Sequence, residues 1–231
     1  MAPQHLAIIP DGNRRWAQQH NFPSFEGHRK GYEAFRDIAP KVFDAGVDFF
    51  SFWAMSEDNF KKRNPLEVKV LMELLSKGMK EILQDEYIRK NRVSFECIGN
   101  FRNLFPEDIV REIDETELAL DTGGSKHLQL FLAYDGGTEM MEGVKSLVKA
   151  GVAESEMSRE VIHRHLWTRH LPAVDLIIRT GGEPHNSAGF MMWLTQNSQL
   201  YFTEKLWPDF GEDDLKAALA DYESRERRFG K

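Results

Sequence analysis

His5-Leu6-Ala7-Ile8-Ile9-Pro10-Asp11-Gly12-Asn13-Arg14-Arg15-Trp16 is the stretch on which the fold turns. Five residues of unbroken apolar or β-prone character end abruptly in a proline and a run of polar, turn-forming residues. Further runs of the same kind recur at Val47–Ala54, Val93–Ile98, His127–Ala133, Val174–Arg179 and Leu200–Phe202. Helical patterns near 28–45, 65–90, 107–121, 138–150, 158–168 and 212–228 separate them. Alternation of this kind predicts right-handed βαβ crossovers and a mostly parallel central sheet flanked by helices. No linker, repeat or low-complexity tract divides the chain, so residues 1–231 read as one α/β domain.

Composition agrees and narrows the function. The chain has 231 residues, 41% hydrophobic and 29% charged, an ordinary globular balance with enough length for a sizeable core. The net charge of −7 gives no global attraction for nucleic acid, so a positive site must be local. A single cysteine, Cys97, excludes an internal disulfide and a cysteine-cluster zinc site. It reads as a small core residue of a reducing compartment. No apolar run approaches the ~18 residues of a membrane span, and the first residues lack the pattern of a signal peptide. The expectation is a soluble, cytoplasmic protein.

The stretch 65–90 is long for a globular helix. Val68, Leu71, Leu75 and Ile82, with Val70, Leu74, Met79 and Leu83, repeat at three- and four-residue spacing. That stripe fits either a core-facing helix or one wall of an elongated apolar cavity.

In open parallel sheets, ligands bind beyond the carboxyl ends of the strands. After the first strand, Asp11-Gly12-Asn13 is ordinary turn chemistry, yet a turn has no need of Arg14, Arg15 and Trp16 behind it. Glycine lets backbone N–H groups converge on an anion, a helix beginning there adds its positive end, and arginines add charge-assisted donors. Asp11 could place a divalent cation on the same phosphates. There is neither a Walker A lysine motif nor Gly-x-Gly-x-x-Gly, which argues against a nucleotide site. Gly27-His28-Arg29-Lys30-Gly31 is expected to open the next helix. After the second strand, Ser56-Glu57-Asp58-Asn59-Phe60 and then Lys61-Lys62-Arg63 offer helix caps or groups for a reacting substrate. After the fifth comes Arg179-Thr180-Gly181-Gly182-Glu183, a second plausible anion cradle. Together these predict a ligand carrying phosphate groups, magnesium and, if 65–90 lines a cavity, an apolar tail.

Asp11-Gly12-Asn13-Arg14-Arg15-Trp16-Ala17 resembles the signature of the cis-prenyltransferases, the undecaprenyl diphosphate synthase family. Gly27-His28-Arg29, Ser56 to Asn59, Ile178 to Glu183, Leu200 to Thr203, Leu206 to Phe210 and Arg225 to Gly230 look like further family blocks in the family order. The resemblance implies a Mg2+-dependent homodimer with one tunnel per subunit that joins an allylic diphosphate to isopentenyl diphosphate. By that resemblance Gly12, Asn13, Arg14 and Arg15 would hold the allylic diphosphate with His28 close by, and Asp11 would position the metal. Asn59 matches the family's proton-removal position, with Ser56 and His28 in the same relay. Trp16 and Phe60 would touch the isoprenoid. Ser24, Glu57, Asp58, Arg63, Arg179, His185, Asn186 and Ser187 complete the expected substrate contacts. Membrane contact would be peripheral and would follow only from a long product.

The departures are specific. Ser24 stands where relatives often carry arginine, and Gln199 where they commonly carry a glutamate that assists the metal. The usual Arg-x-Ser-Asn-Phe becomes His185-Asn186-Ser187-Ala188-Gly189-Phe190, one residue longer, and Asn-Tyr-Gly-Gly becomes Tyr134-Asp135-Gly136-Gly137. Neutral histidine lacks arginine's bidentate charge, and glutamine is no anionic ligand. This leaves open irregular coupling in which dimethylallyl diphosphate is the second substrate, giving lavandulyl-type products. A non-catalytic partner subunit is a third reading, against which the intact Asp11 nest counts. A phosphatase is disfavoured by the lack of an obvious nucleophile. Met55, Met79, Phe95 and Phe131 are bulky enough to floor a tunnel, which points to a short or medium chain.

Overall fold

Parallel strands joined by helices that cover both faces account for nearly every apolar run in the chain. The computed structural model describes residues 2–225. In chain order these form β1 (His5–Ile9), α1 (Asn13–Gln19), α2 (Ser24–Asp44), β2 (Phe49–Trp53), α3 (Glu57–Lys62), α4 (Pro65–Ile82), α5 (Glu86–Lys90), β3 (Ser94–Ile98), α6 (Phe101–Leu104), α7 (Glu107–Ala119), β4 (His127–Phe131), α8 (Gly136–Lys149), α9 (Arg159–Arg164), β5 (Leu176–Arg179), β6 (Gln199–Phe202) and α10 (Glu212–Ser224). All six expected strands are present, each within its expected range or one residue beyond it.

The strand order is β3-β4-β2-β1-β5-β6, and every pairing is parallel. From β1 the chain passes to β2 and on to the edge strand β3, comes back to β4 between those two, and then crosses to β1's other side for β5. The order therefore reverses between β1 and β5, and a crevice opens there beyond the strand ends. The register sets Ile9 opposite Arg179, so Asp11 and Thr180 are neighbours across that crevice.

Alternation along each strand divides the core. Leu6, Ile8, Phe50, Phe52, Leu128, Leu130 and Ile178 face one side, where residues of α2, α4, α7 and α10 close over them. Ala7, Ile9, Trp53, Phe131 and Ile177 face the other, against Tyr134, Phe190 and Met191.

Three expectations are corrected. The helix expected over 65–90 is broken after Ile82. Asp85 caps a new helix, its side chain accepting from the Ile88 amide at 3.0 Å, so α5 starts as a separate element. The helix expected from 28 begins at Ser24 behind Pro23, which sets His28 in its second turn and away from the helix terminus. Arg29 and Lys30 pair with Glu26 and Glu33 on the exposed surface instead of facing an anion. The third concerns 212–228: α10 closes at Ser224, and the remainder of that span, with most of the Arg225–Gly230 block, lies outside the described residues.

Candidate active site

A polar cleft of about 770 Å³ lies beyond the carboxyl ends of β1, β2 and β5. Asp11 to Arg15, His28, Ser56, Asp58, Asn59, Arg63, Arg179, His185 and Ser187 all line it. Three segments separate in sequence thus converge on one space, as strand-end reasoning requires.

The nest after β1 is built around Gly12, whose φ of 109° begins α1. A side chain there would be strained and would strike Leu206 at 2.8 Å, so this turn requires glycine. Thr180 clamps the preceding residue, accepting from the Asp11 amide at 2.9 Å and donating to its carbonyl at 2.8 Å. The Asp11 carboxylate, about one-third exposed, sits between two arginines: Arg15 at 3.2 Å and Arg179 at 3.1 Å. Gly181, φ 85°, leaves room for the Arg15 guanidinium, which donates to its carbonyl at 2.6 Å. Arg179 also donates to the His185 carbonyl at 2.8 Å, which ties the 185–190 segment to the nest.

A buried charged chain forms the inner wall. His28 Nε2 lies 2.8 Å from Glu67 Oε1, and Arg63 Nε lies 3.3 Å from the same oxygen. Burial, and then the nearby Arg63 charge, lower the His28 pKa to about 4 against the pull of Glu67. The ring is therefore neutral at pH 7, and because a carboxylate oxygen accepts, Nε2 carries the proton and Nδ1 the lone pair. Arg63 is nearly buried, which pulls its pKa down, with Glu67 offsetting this and Arg14 adding to it. Its Nη1 and the Nε of Arg179 are buried without hydrogen-bond partners, while its Nε meets only the Glu67 carboxylate. Buried guanidinium N–H groups normally find acceptors, so these donors are set for an anion.

Behind this wall an apolar cavity of about 170 Å³ runs between α2, α4 and the sheet. Pro10, Asn13, His28, Ala54 and Met55 line both spaces and form their common boundary. Leu71, Leu74, Leu75, Met79 and Ile82 supply the α4 side, so the apolar stripe is both core and cavity wall. Met55, Met79 and Phe95 line the cavity, but Phe131 lies on the opposite face of the sheet. At its far end the lining passes to Tyr32, Arg36, Glu81 and Asp85.

The structure places several expected contacts elsewhere. Trp16 is buried, donates to Asp209 at 2.8 Å and stacks on His20 at 4.2 Å, so it lines neither space. Phe60 packs on Phe105 at 5.0 Å. Glu57 turns away to Lys61 and to the Thr138 hydroxyl, 3.0 Å from its other oxygen. Asn186 donates to the Phe190 carbonyl at 3.2 Å, and half-buried Ser24, at the start of α2, lines neither space. Ser56 caps α3 by accepting from the Asn59 amide at 3.1 Å while facing the cleft. Gln199 pairs in register with Leu176 at the amino end of β6, remote from Asp11. Its place at that end of the sheet keeps it from a metal beside Asp11 of the same chain. Conversely, the sequence reading passed over Glu67 and Gln18 and named Thr180 only within the cradle after β5. The i, i+4 spacing of Arg63 and Glu67 was the available signal for the first.

Among the described residues, no group of three or more His, Cys, Asp or Glu side chains is arranged to hold a metal. One carboxylate at an open cleft still suits Mg2+, which keeps several waters and binds through substrate phosphates plus one or two carboxylates.

An arginine-lined cleft at the switch point, continuous with an apolar cavity, defines an enzyme for substrates with a phosphate head and a hydrocarbon tail. The chain belongs to the undecaprenyl diphosphate synthase family of cis-prenyltransferases: residues 9–230 match the family model described as "Putative undecaprenyl diphosphate synthase". It is 37% identical to the geranylgeranyl-diphosphate-specific tritrans,polycis-undecaprenyl-diphosphate synthase of Methanocaldococcus jannaschii over 99% of this chain and 83% of that protein. Dehydrodolichyl diphosphate synthase 3 of Arabidopsis thaliana is 35% identical over 100% of this chain and 76% of that one. Lavandulyl diphosphate synthase from Lavandula x intermedia, solved with dimethylallyl diphosphate, superposes with a TM-score of 0.91 at 32% identity, covering 100% and 99% of the two chains. No helix among the described residues is long and apolar enough to cross a membrane.

Proposed function

We propose that the protein condenses an allylic diphosphate with isopentenyl diphosphate to a cis-prenyl diphosphate, acting as a homodimer in the cytoplasm. The observation that carries this reading is the shared boundary at Asn13, His28 and Met55. A diphosphate in the polar cleft would leave its hydrocarbon directed into the apolar cavity.

Arg14, Arg15, the backbone N–H groups after Gly12 and the open valences of Arg63 and Arg179 bind the allylic head. Asp11 is the residue that would hold Mg2+ against that diphosphate, where the metal supplies extra neutralisation of the leaving group. Breaking the allylic C–O bond sends its electron pair to the diphosphate and leaves positive charge on carbon. Donors fixed around the leaving oxygens lower that barrier. The π electrons of the second substrate form the new C–C bond, and loss of a proton restores a double bond. Asn59 is an amide, too weak to take that proton, and serves to orient; the departed diphosphate is the stronger base in the same cleft.

A second reading, irregular coupling with dimethylallyl diphosphate in the second position, draws on one feature. His185, where the family resemblance leads one to expect arginine, is 56% exposed at the cleft and lies 3.9 Å from Glu183. No arginine fork is added on that side. A product assay with purified protein and Mg2+ separates the readings. Dimethylallyl, geranyl, farnesyl and geranylgeranyl diphosphates are offered with and without isopentenyl diphosphate, and products are identified by mass spectrometry and NMR. A linear cis product that requires isopentenyl diphosphate supports the first reading. A branched product from dimethylallyl diphosphate alone replaces it with the second. No product at all, with diphosphate still bound, overturns both in favour of a partner subunit.

A further inference from the structure

Two segments border the cleft from opposite sides, the one carrying Ser56 and Asn59 and the one carrying His185 and Ser187. They lie about 130 residues apart, yet both are fastened to Tyr134. Its amide donates to the Met55 carbonyl at 3.2 Å, and its carbonyl accepts from the Glu57 amide at 3.4 Å, which fixes the start of α3. Its hydroxyl accepts from the Met191 amide at 3.1 Å and donates to Glu139 Oε2 at 2.5 Å. The other Glu139 oxygen accepts from both the amide and the hydroxyl of Thr168, each at 2.8 Å. Tyr134, Glu139 and Thr168 are all fully buried.

The fastened segment is one that needs restraint. Ala188 and Met191 hold φ of 44° and 46°, a left-handed conformation that costs a side-chain-bearing residue roughly 1–2 kcal/mol. Between them Phe190 stacks flat on Trp53 at 4.9 Å and lies edge-on to the Tyr134 ring at 5.8 Å. Trp53 itself lines the cleft. The hydroxyl is therefore the polar tie at the Met191 end of the strained turn, as Arg179 is at its His185 end, and the two hold His185 and Ser187 at a set distance from Ser56 and Asn59.

We propose that Tyr134 is a positioning residue for the second diphosphate: one buried side chain sets the spacing between the wall that binds it and the wall that orients its proton. The inference rests on the proposed function in assigning the His185–Ser187 side to the second substrate.

The test is Tyr134→Phe in the full chain, which removes one oxygen and keeps the ring and both backbone bonds. KM for the second diphosphate should rise about tenfold, with kcat within threefold and the allylic diphosphate Kd unchanged. Amide exchange should accelerate at Met191 and stay unchanged from Glu57 to Asn59. Glu139→Gln retains the oxygen facing Thr168 and leaves the Tyr134 hydroxyl its bond from Met191. That variant should keep KM within threefold of wild type. Equal losses in both substrates' binding, or a fall in kcat alone, would mean a merely structural role and overturn the inference. If the wild-type chain yields no prenyl product, the proposed function fails. The inference is then judged by exchange at Met191 and by calorimetric binding of isopentenyl diphosphate, and wild-type values for both in Tyr134→Phe overturn it.

Discussion

Replacing Glu67 with glutamine should weaken the folded protein and strengthen its hold on a diphosphate. Glu67, His28 and Arg63 have side chains 9%, 7% and 12% exposed, so their charges have little water to fall back on. Glutamine keeps the shape and leaves an oxygen for His28 Nε2, but removes the only carboxylate paired with Arg63 among the described residues. Taking one partner from a buried ion pair costs about 3–5 kcal/mol; the retained hydrogen bond puts the loss at the lower end, about 3 kcal/mol. At roughly 2–4 °C per kcal/mol for a chain of this size, Tm should drop by about 6–12 °C. The freed guanidinium then has no competitor for an anion. One additional charge-assisted hydrogen bond, about 1.5–3 kcal/mol, tightens inorganic diphosphate by roughly tenfold or more. Thermal unfolding with and without diphosphate, alongside calorimetric titration, measures both effects. A Tm within 2 °C of wild type (about a quarter of the expected drop) or an unchanged diphosphate Kd would refute the reasoning, since either would mean that Glu67 does not neutralise Arg63.

Other expectations are simpler to check. His5 and His28 are both held near pKa 4 by burial, below the ordinary 6.5, so between those values the unfolded chain binds more protons than the folded one. Stability should therefore fall as pH drops below 6.5, by up to about 1.4 kcal/mol per pH unit for each ring, visible in denaturant midpoints between pH 7 and 5. Replacing His5 with glutamine should roughly halve that slope. Arg179→Lys cannot reach both the Asp11 carboxylate and the His185 carbonyl; kcat/KM should fall about 10- to 100-fold, measured by steady-state kinetics. Asp11→Asn should keep the fold, since this carboxylate is partly exposed, while turnover falls at least 100-fold and ceases to respond to added Mg2+. Chelation of divalent ions should abolish turnover of the wild-type enzyme reversibly.

The strands were legible because a sheet buried on both faces writes itself as unbroken apolar runs, and His5–Ile9 and Leu176–Arg179 are such runs. The nest was legible because glycine beside paired arginines at a strand end has few structural uses. What stayed hidden depends on direction rather than identity. Trp16 and Phe60 sit in the right blocks, yet their rings turn into packing against His20 and Phe105. Glu57 and Asp58 are adjacent, and helix geometry sends one inward to Lys61 and Thr138 and the other to the cleft. The place of Gln199 was hidden because a strand's register decides which end of the sheet a residue occupies, and register is set by a neighbour more than twenty residues earlier. Glu67 went unremarked for a similar reason: its partner His28 is 39 residues away.

The bond between Asp11 and Arg179 spans 168 positions of the chain. β1 cannot find its second neighbour, nor the nest its inner arginine, until β5 has been made. During synthesis the first three-quarters of the protein can assemble β3, β4, β2 and β1 with the helices of that span, but this four-stranded sheet exposes the edge of β1 and has an incomplete anion cradle. The cradle is thus completed late, with the last quarter of the chain. Contacts this distant also make folding slow, and the waiting edge of β1 is where premature association would begin.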